Sequence, residues 1–293
     1  MRTIALAGAF TLLFGCGGGT AITPAAPFPA FDRAVNLGPP LNSQDFDGGP
    51  SISADGISLY FVTDRDVSNG GDIWVASRRA TAEPFSKAES LGAPVNSSAD
   101  EGAPTISADG LELFFDRAPD GLIFGATRSN ISEPFRAPVA VDLRSTGCCD
   151  EFPNISADGL DLYFCSNRPG GYGGDDVWVA TRTTGLSRFD PPANLGPTVN
   201  SPANDCDPSI SKDDRVLLIA SDRKGGKGGL DIWVATRSSR SQPFGKPVNL
   251  GANVNSGFSD RRPDISADGL TLYFMSDRVG GTGSFDLWQA KRA

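Results

Sequence analysis

The apolar residues of this chain come in short runs. Leu59-Tyr60-Phe61, Leu113-Phe114-Phe115, Leu162-Tyr163-Phe164, Leu217-Leu218-Ile219 and Leu272-Tyr273-Phe274 each stand alone between polar, Gly-rich stretches. A run of this length without alternation predicts a strand packed on both faces. Each run has the same neighbours. A Pro opens the unit, at Pro50, Pro104, Pro153, Pro208 and Pro263. A turn follows at Asp55-Gly56, Asp109-Gly110, Asp158-Gly159 and Asp268-Gly269, with Asp213-Asp214 in the fourth copy. Asp accepts local backbone hydrogen bonds there and Gly takes a positive φ. After the apolar run comes a Gly-rich loop, then a third strand marked by Trp74, Phe124, Trp178, Trp233 or Trp288, whose aromatic series reads as core packing. A fourth element closes the unit, as in Phe85…Leu91-Gly92…Asn96-Ser97 and Phe244…Leu250-Gly251…Asn255-Ser256. Four short strands repeated at a near-constant period predict the blades of a β-propeller.

The ends of the chain give the topology. The fifth copy stops after its third strand. Its missing fourth element stands at the other end, as Phe31-Asp32-Arg33-Ala34-Val35-Asn36-Leu37-Gly38…Asn42-Ser43. The expected fold is therefore all-β: a five-bladed propeller of four-stranded antiparallel blades over residues 31–293, closed by the N-terminal strand on the last blade. Closure of this kind hides two sheet edges. The second copy departs from the rest. Its second-to-third-strand loop is shortened to Arg117-Ala118-Pro119-Asp120-Gly121, and Leu122 stands where the others have Asp72, Asp176, Asp231 and Asp286. A notch in the rim is expected there.

The run Pro-x-Ile-Ser-x-Asp-Gly, the apolar strand, Ser-Asp-Arg-x-Gly-Gly and Asp-Ile-Trp, best kept from Pro208 to Trp233 and Pro263 to Trp288, resembles the TolB-type, WD40-like (PD40-type) propeller repeat of bacterial envelope proteins. The resemblance covers residues 31–293 and implies binding of a protein or peptide. It speaks for fold more than for function, because propellers host binding, scaffolding and catalysis alike. TolB has six blades where this chain has five repeats, so its particular partners do not carry over.

The first residues read as a processing signal. Met1-Arg2 is a positive start, and Thr3 to Phe14 is an apolar run too short for a permanent membrane span. Leu13-Phe14-Gly15-Cys16 resembles the bacterial lipoprotein signal, which implies residues 1–15 as signal peptide and Cys16 as the lipidated first residue of the mature chain. Residues 16–30 then read as a flexible linker. The resemblance implies export and a lipid anchor in the outer membrane, periplasmic or surface-facing, as the only membrane contact of a monomer.

Composition narrows the chemistry. The 293 residues include no His, which removes Ser-His-Asp and Cys-His catalysis and His-ligated metals. The net charge is −9, which disfavours nucleic acid as a partner. Two series of charged residues fall on the face where the fourth-to-first and second-to-third strand loops emerge. Asp47, Glu101, Asp150, Asp205 and Asp260 each precede a repeat's Pro by three residues, and Arg65, Arg117, Arg168, Arg223 and Arg278 close the second strands. One reading is that acids and Arg pair and lock the blades. The other is a carboxylate ring at the channel mouth that could hold Ca²⁺ or a basic peptide segment. Glu151 and Asp207, with Asp100 and Asp175-Asp176, break the symmetry and place a site over the third and fourth blades. Cys149 or Cys148 with Cys206 is the expected disulfide, a vicinal Cys148–Cys149 bond is a strained alternative, and Cys165 reads as a buried thiol. Together these features favour a non-catalytic, lipid-anchored module that binds an envelope protein or peptide. The alternative is a carbohydrate-binding or glycosidase-like propeller using channel carboxylates, which would need two or three unequal acids about a sugar's width apart. A structural surface protein without a specific ligand is a third reading.

Overall fold

The computed structural model describes residues 28–66, 70–144, 149–185 and 187–293. The expected signal peptide, Cys16, most of the linker and Cys148 lie outside these residues. The first blade contains β2 (Asp47–Ile52), β3 (Ser58–Thr63), β4 (Asp72–Ser77) and β5 (Glu89–Ser90). The second contains β6 (Glu101–Ile106), β7 (Glu112–Arg117), β8 (Leu122–Thr127) and β9 (Val139–Ala140). The third contains β10 (Asp150–Ile155), β11 (Asp161–Ser166), β12 (Asp176–Thr181) and β13 (Ala193–Asn194). The fourth contains β14 (Asp205–Ile210), β15 (Val216–Ser221), β16 (Asp231–Thr236) and β17 (Val248–Asn249). The fifth joins β18 (Asp260–Ile265), β19 (Thr271–Ser276) and β20 (Asp286–Lys291) to β1 (Val35–Asn36), in the order β1-β20-β19-β18. All pairings are antiparallel, and Val35 lies opposite Gln289 with Asn36 opposite Trp288. The five-bladed, N-terminally closed propeller expected from the repeats is the fold observed.

The core lies between the blades rather than inside any one of them. Five apolar clusters form, one at each blade–blade interface. Between the first two blades, Tyr60, Val62 and Ile73 meet Ile106, Leu113 and Phe115. The apolar runs of the second strands are buried on both faces for this reason; Leu59, Phe61, Leu113, Phe115, Leu162 and Phe164 have no exposed surface.

Asn side chains fix each inter-blade loop to the blade it leaves. Asn96 donates through Nδ2 to Ile73 O at 3.0 Å and accepts at Oδ1 from Ile73 N at 3.0 Å, as a short strand edge would. Asn200 does the same to Val177 and Asn255 to Ile232. Asn42 does it to Leu287, joining the start of the chain to its last strand.

Each innermost strand begins at the acidic residue, three residues before the Pro, and carries a bulge. The ladder breaks between Gly48 and Ser51, Gly102 and Thr105, Glu151 and Asn154, Cys206 and Ser209, and Arg261 and Asp264. Pro has no N–H to give a ladder, so in a strand it sits at such a bulge. The residue before each Pro takes a left-handed φ: Gly49 59°, Ala103 39°, Phe152 55°, Asp207 51° and Arg262 49°. Four of these are not Gly, and held backbone of this kind gathers at functional sites.

Candidate functional site: the charged mouth of the channel

The two repeated series meet inside the blades. Arg65 Nη2 lies 2.5 Å from Asp47 Oδ1, Arg117 Nε 2.8 Å from Glu101 Oε1, and Arg168 Nη2 2.6 Å from Asp150 Oδ1. Arg223 pairs with Asp205 and Arg278 with Asp260. All five acids are at most 1% exposed. The same guanidiniums donate to carbonyls of the loop arriving from the preceding blade, those of Val95 (3.1 Å), Leu143 (3.3 Å) and Val199 (2.7 Å), and of Leu41 and Val254. They also lie over the aromatic series, Arg65 over Trp74 and Arg278 over Trp288. These acids, Arg and aromatics form one device, repeated five times, that pins each incoming loop to the next blade. Asp47, Glu101, Asp150, Asp205 and Asp260 therefore do not form an open ring at the mouth, which corrects the cation-ring reading for them. A carboxylate aimed along a blade and saturated by an Arg and a loop Ser offers nothing to a ligand; Asp47 also accepts from Ser43 N and Oγ.

Two inner-strand positions beside the mouth differ from copy to copy, and the third-position residues line the axis. The second position of the inner strands is Gly48, Gly102, Glu151, Cys206 and Arg261, and the third is Gly49, Ala103, Phe152, Asp207 and Arg262. Opposite the second position stand Val62, Asp116, Cys165, Ala220 and Met275. Asp116 reaches this place because the second blade has seven residues from its turn Gly110 to Arg117, where the first has nine from Gly56 to Arg65. The shortening slides Arg117 into the register place of Thr63 and puts a carboxylate where the other blades carry an apolar residue or Cys. Sequence reasoning missed this acid; the residue count between turn and Arg was the signal that could have found it.

The mouth is asymmetric. On the first two blades it is small-sided, with Gly48, Gly49, Gly102 and Ala103. A Cβ on Gly102 would fall 2.0 Å from Asp116 Oδ1, so Gly there makes room for the carboxylate. The charges come from the other three blades and from Asp116 of the second. Asp207 accepts from Arg261 Nε at 3.0 Å and from Arg262 N at 3.2 Å. Asp116 Oδ2 accepts from Phe152 N at 2.8 Å. The Arg262 guanidinium lies over the Phe152 ring at 4.4 Å and that of Arg261 at 5.5 Å. Arg262 Nε is buried with no hydrogen-bond partner among the described residues.

Electrostatics follow from this crowding. Burial pushes the Glu151 carboxyl up, and the charge of Asp116 pushes it further. Asp175, on the loop before β12, is raised by burial and then by Asp176 and Asp207. Asp116 is raised by burial, against the pull of Arg262. Asp207 and burial act on Arg261 in opposite senses, and Asp207 prevails in raising it, whereas burial and Arg261 lower Arg262. Asp116, Glu151, Asp175 and Asp207 thus face two guanidiniums, so the mouth as a whole favours an added positive charge. Of the acids expected from sequence, Glu151 and Asp207 belong to this mouth. Asp100 does not: its Oδ1 accepts from Gly71 N at 2.9 Å in the first loop of the rim.

Below the mouth the channel is narrow. A cavity of about 30 Å³ lies under the Phe152–Arg262 contact, and one of about 60 Å³ lies further down, walled by Ile52, Ile106, Ile155, Ile210 and Ile265. Between them a polar ring links the blades. Ser51, Thr105, Asn154 and Asp264 each accept from the N–H of the Ile in the next blade, at 3.2, 3.3, 2.9 and 2.7 Å. Ser209 Oγ donates to Asp264 Oδ1 at 3.2 Å, and burial pushes the Asp264 carboxyl up to about 7.

The disulfide differs from expectation. Cys206 pairs with Cys165, with Cα atoms 5.1 Å apart, and not with Cys149. Cys165 and Cys206 are both buried, on the facing strands β11 and β14 of adjacent blades. Cys149 is exposed and lies against Gly121 in the shortened loop of the second blade.

No family model matches this chain, and no curated protein matches it. Solved structures do. An α-L-arabinofuranosidase of Podospora anserina, solved with cellotriose, is 13% identical and superposes with a TM-score of 0.60, over 90% of this chain and 97% of that one. The catalytic domain of a GH62 α-L-arabinofuranosidase of Coprinopsis cinerea gives 13% and 0.60, over 90% and 98%. A putative TolB of Agrobacterium tumefaciens gives 16% and 0.50, over 85% and 78%. At such identities the likeness is one of architecture, and what it establishes for this chain is the β-propeller fold.

Proposed function

We propose that this chain is a non-catalytic binding module of the cell envelope, lipid-anchored through Cys16, that receives a basic segment of a partner protein or peptide at the channel mouth. The observation that carries this reading is the charge imbalance there: Asp116, Glu151, Asp175 and Asp207 against Arg261 and Arg262, with Glu151 and Asp175 both pushed up. An incoming Lys or Arg would lower both carboxyls and be held by them. Channel size supports a side chain rather than a sugar as the guest. The two axial cavities, at about 30 and 60 Å³, fall well short of the roughly 300 Å³ at which small-molecule pockets begin.

Titration of the purified chain with labelled Lys-rich and Glu-rich peptides tests the reading. Lys-rich peptides are expected to bind more tightly, with affinity falling as salt rises. Glu151→Gln with Asp175→Asn is expected to weaken that binding at least ~10-fold, the worth of one lost charge-assisted contact. Equal affinity for both peptides would defeat it. Partners crosslinked in intact envelopes should be lost with the same double variant.

The glycosidase-like alternative has one observation in its favour: the carboxylates at the mouth are unequal, as such chemistry needs. Hydrolysis of aryl arabinofuranosides or xylosides by the wild type, abolished by Glu151→Gln, would establish it over the binding reading.

A further inference from the structure

The wall of the mouth holds a cluster in which Asp175, one of the acids of the charge argument, meets two cysteines that argument does not use. Sγ of Cys165, Sγ of Cys206 and a carboxylate oxygen of Asp175 all lie within 4.8 Å of one another. The scaffold around them is rigid. Cys165 faces Val177 in the β11–β12 ladder, and Cys206 faces Ala220 in the β14–β15 ladder. The Asp175 backbone is pinned to the fourth blade, its carbonyl accepting from Asp205 N at 2.8 Å and its N–H donating to Asn204 Oδ1 at 3.3 Å. Among the described residues its carboxylate takes part in no hydrogen bond. Asp176, Asp207, Glu151 and Arg261 are the charged groups around it, three acids and one base.

A tetrahedral Zn²⁺ with Zn–S of about 2.3 Å spaces two thiolates about 3.8 Å apart, and a carboxylate oxygen sits closer still. Two thiols freed from a disulfide between neighbouring strands need to part only to that distance. We propose that reduction of the Cys165–Cys206 bond converts this cluster into a site for a thiophilic divalent cation of the Zn²⁺ class. Cys165 Sγ, Cys206 Sγ and an Asp175 oxygen are three of its ligands, and the fourth position opens toward the mouth. The chemistry balances in two steps. A thiol reductant gives two electrons and two protons to the S–S bond, producing two protein thiols and its own disulfide. The cation then binds two thiolates and displaces their two protons to solvent. The oxidised chain has no such site, since a disulfide sulfur is a poor ligand, so metal occupancy reports the redox state.

Cobalt is the probe, because thiolate–Co²⁺ charge transfer is visible in the near ultraviolet. The full chain carrying Cys16→Ser, Cys148→Ser and Cys149→Ser is reduced with a phosphine, which does not compete for the metal, and titrated with CoCl₂. One equivalent is expected to bind with a charge-transfer band and tetrahedral visible bands, and Zn²⁺ should displace it. The unreduced chain should show neither. Cys206→Ser should abolish the band, and Asp175→Asn should weaken binding at least ~10-fold, in the range that ligand-shell changes cost. Circular dichroism of the reduced, metal-free chain confirms that the blades remain. A folded, reduced chain that binds no Co²⁺, or binds it equally well as Asp175→Asn, overturns the site. Both results are independent of whether the mouth binds basic peptides.

Discussion

Asp264 shows how far a single side chain is constrained on the axis. Its carboxylate accepts from Ile52 N and Ser209 Oγ, yet burial raises it from the usual 3.8 to about 7. Below about pH 4 it is protonated in the folded and unfolded chain alike. Between pH 4 and 7 the unfolded chain releases its proton while the folded chain keeps it. Stability therefore falls as pH rises through this window, by on the order of 4 kcal/mol once the carboxylate is fully ionised. Asp264→Asn is expected to raise the urea midpoint at pH 8 and to flatten the slope between pH 5 and 7. An unchanged midpoint at pH 8 would refute this. The five buried ion pairs are tested by removing one partner. Arg223→Ala leaves Asp205 buried without its partner and removes the donor to Val199 O, and should cost about 3–5 kcal/mol in urea unfolding. Glu151→Gln should leave that midpoint unchanged or raise it, because Glu151 gains nothing from being charged in the folded chain. The contrast separates acids that build the wheel from acids that line its mouth.

At the scale of the strand, repetition made the fold legible and hid the site. Five copies of one motif let the blade, its turn and the closing strand be read directly from residue order. The acid and Arg series were visible for the same reason, and sameness is what structural parts share. The axis is lined by a position that does not repeat: Gly49, Ala103, Phe152, Asp207 and Arg262. A search for recurring residues passes over it. Asp116 was hidden differently, because a two-residue shortening draws it into the ladder place of Val62, while its motif neighbour Asp64 lies beyond the end of its strand. Proximity of the loops points to Cys149 as the partner of Cys206, whereas the facing of strands β11 and β14 makes it Cys165. The closing strand carries its own test. A chain starting at Pro39 keeps Asn42 but lacks β1, leaving β20 as a bare edge. It should unfold at lower urea and show larger species in size exclusion, whereas a change of equal extent in the linker before residue 28 should do neither.

For the whole molecule, the cross-blade disulfide and the ring closure are the two long-range constraints. The Cys165–Cys206 bond encloses a separation of 41 residues, and its reduction is expected to lower unfolding free energy by about 4 kcal/mol on the chain-entropy estimate. A phosphine-treated sample should melt correspondingly earlier, with Cys165→Ser matching it. The proposed anchor is tested in cells: Cys16→Ser should move the chain from the membrane to the soluble fraction.

Joining β1 to β20 also decides how the wheel is carried. β1 is the outermost strand of its blade, and Phe28 and Phe31 lie under Arg292 beside it. Any leash attached ahead of Phe28 therefore grips the disc by its circumference, as a flag is held by its hoist. The point of attachment lies on neither flat side, so the grip itself leaves the disc either face to turn toward whatever approaches.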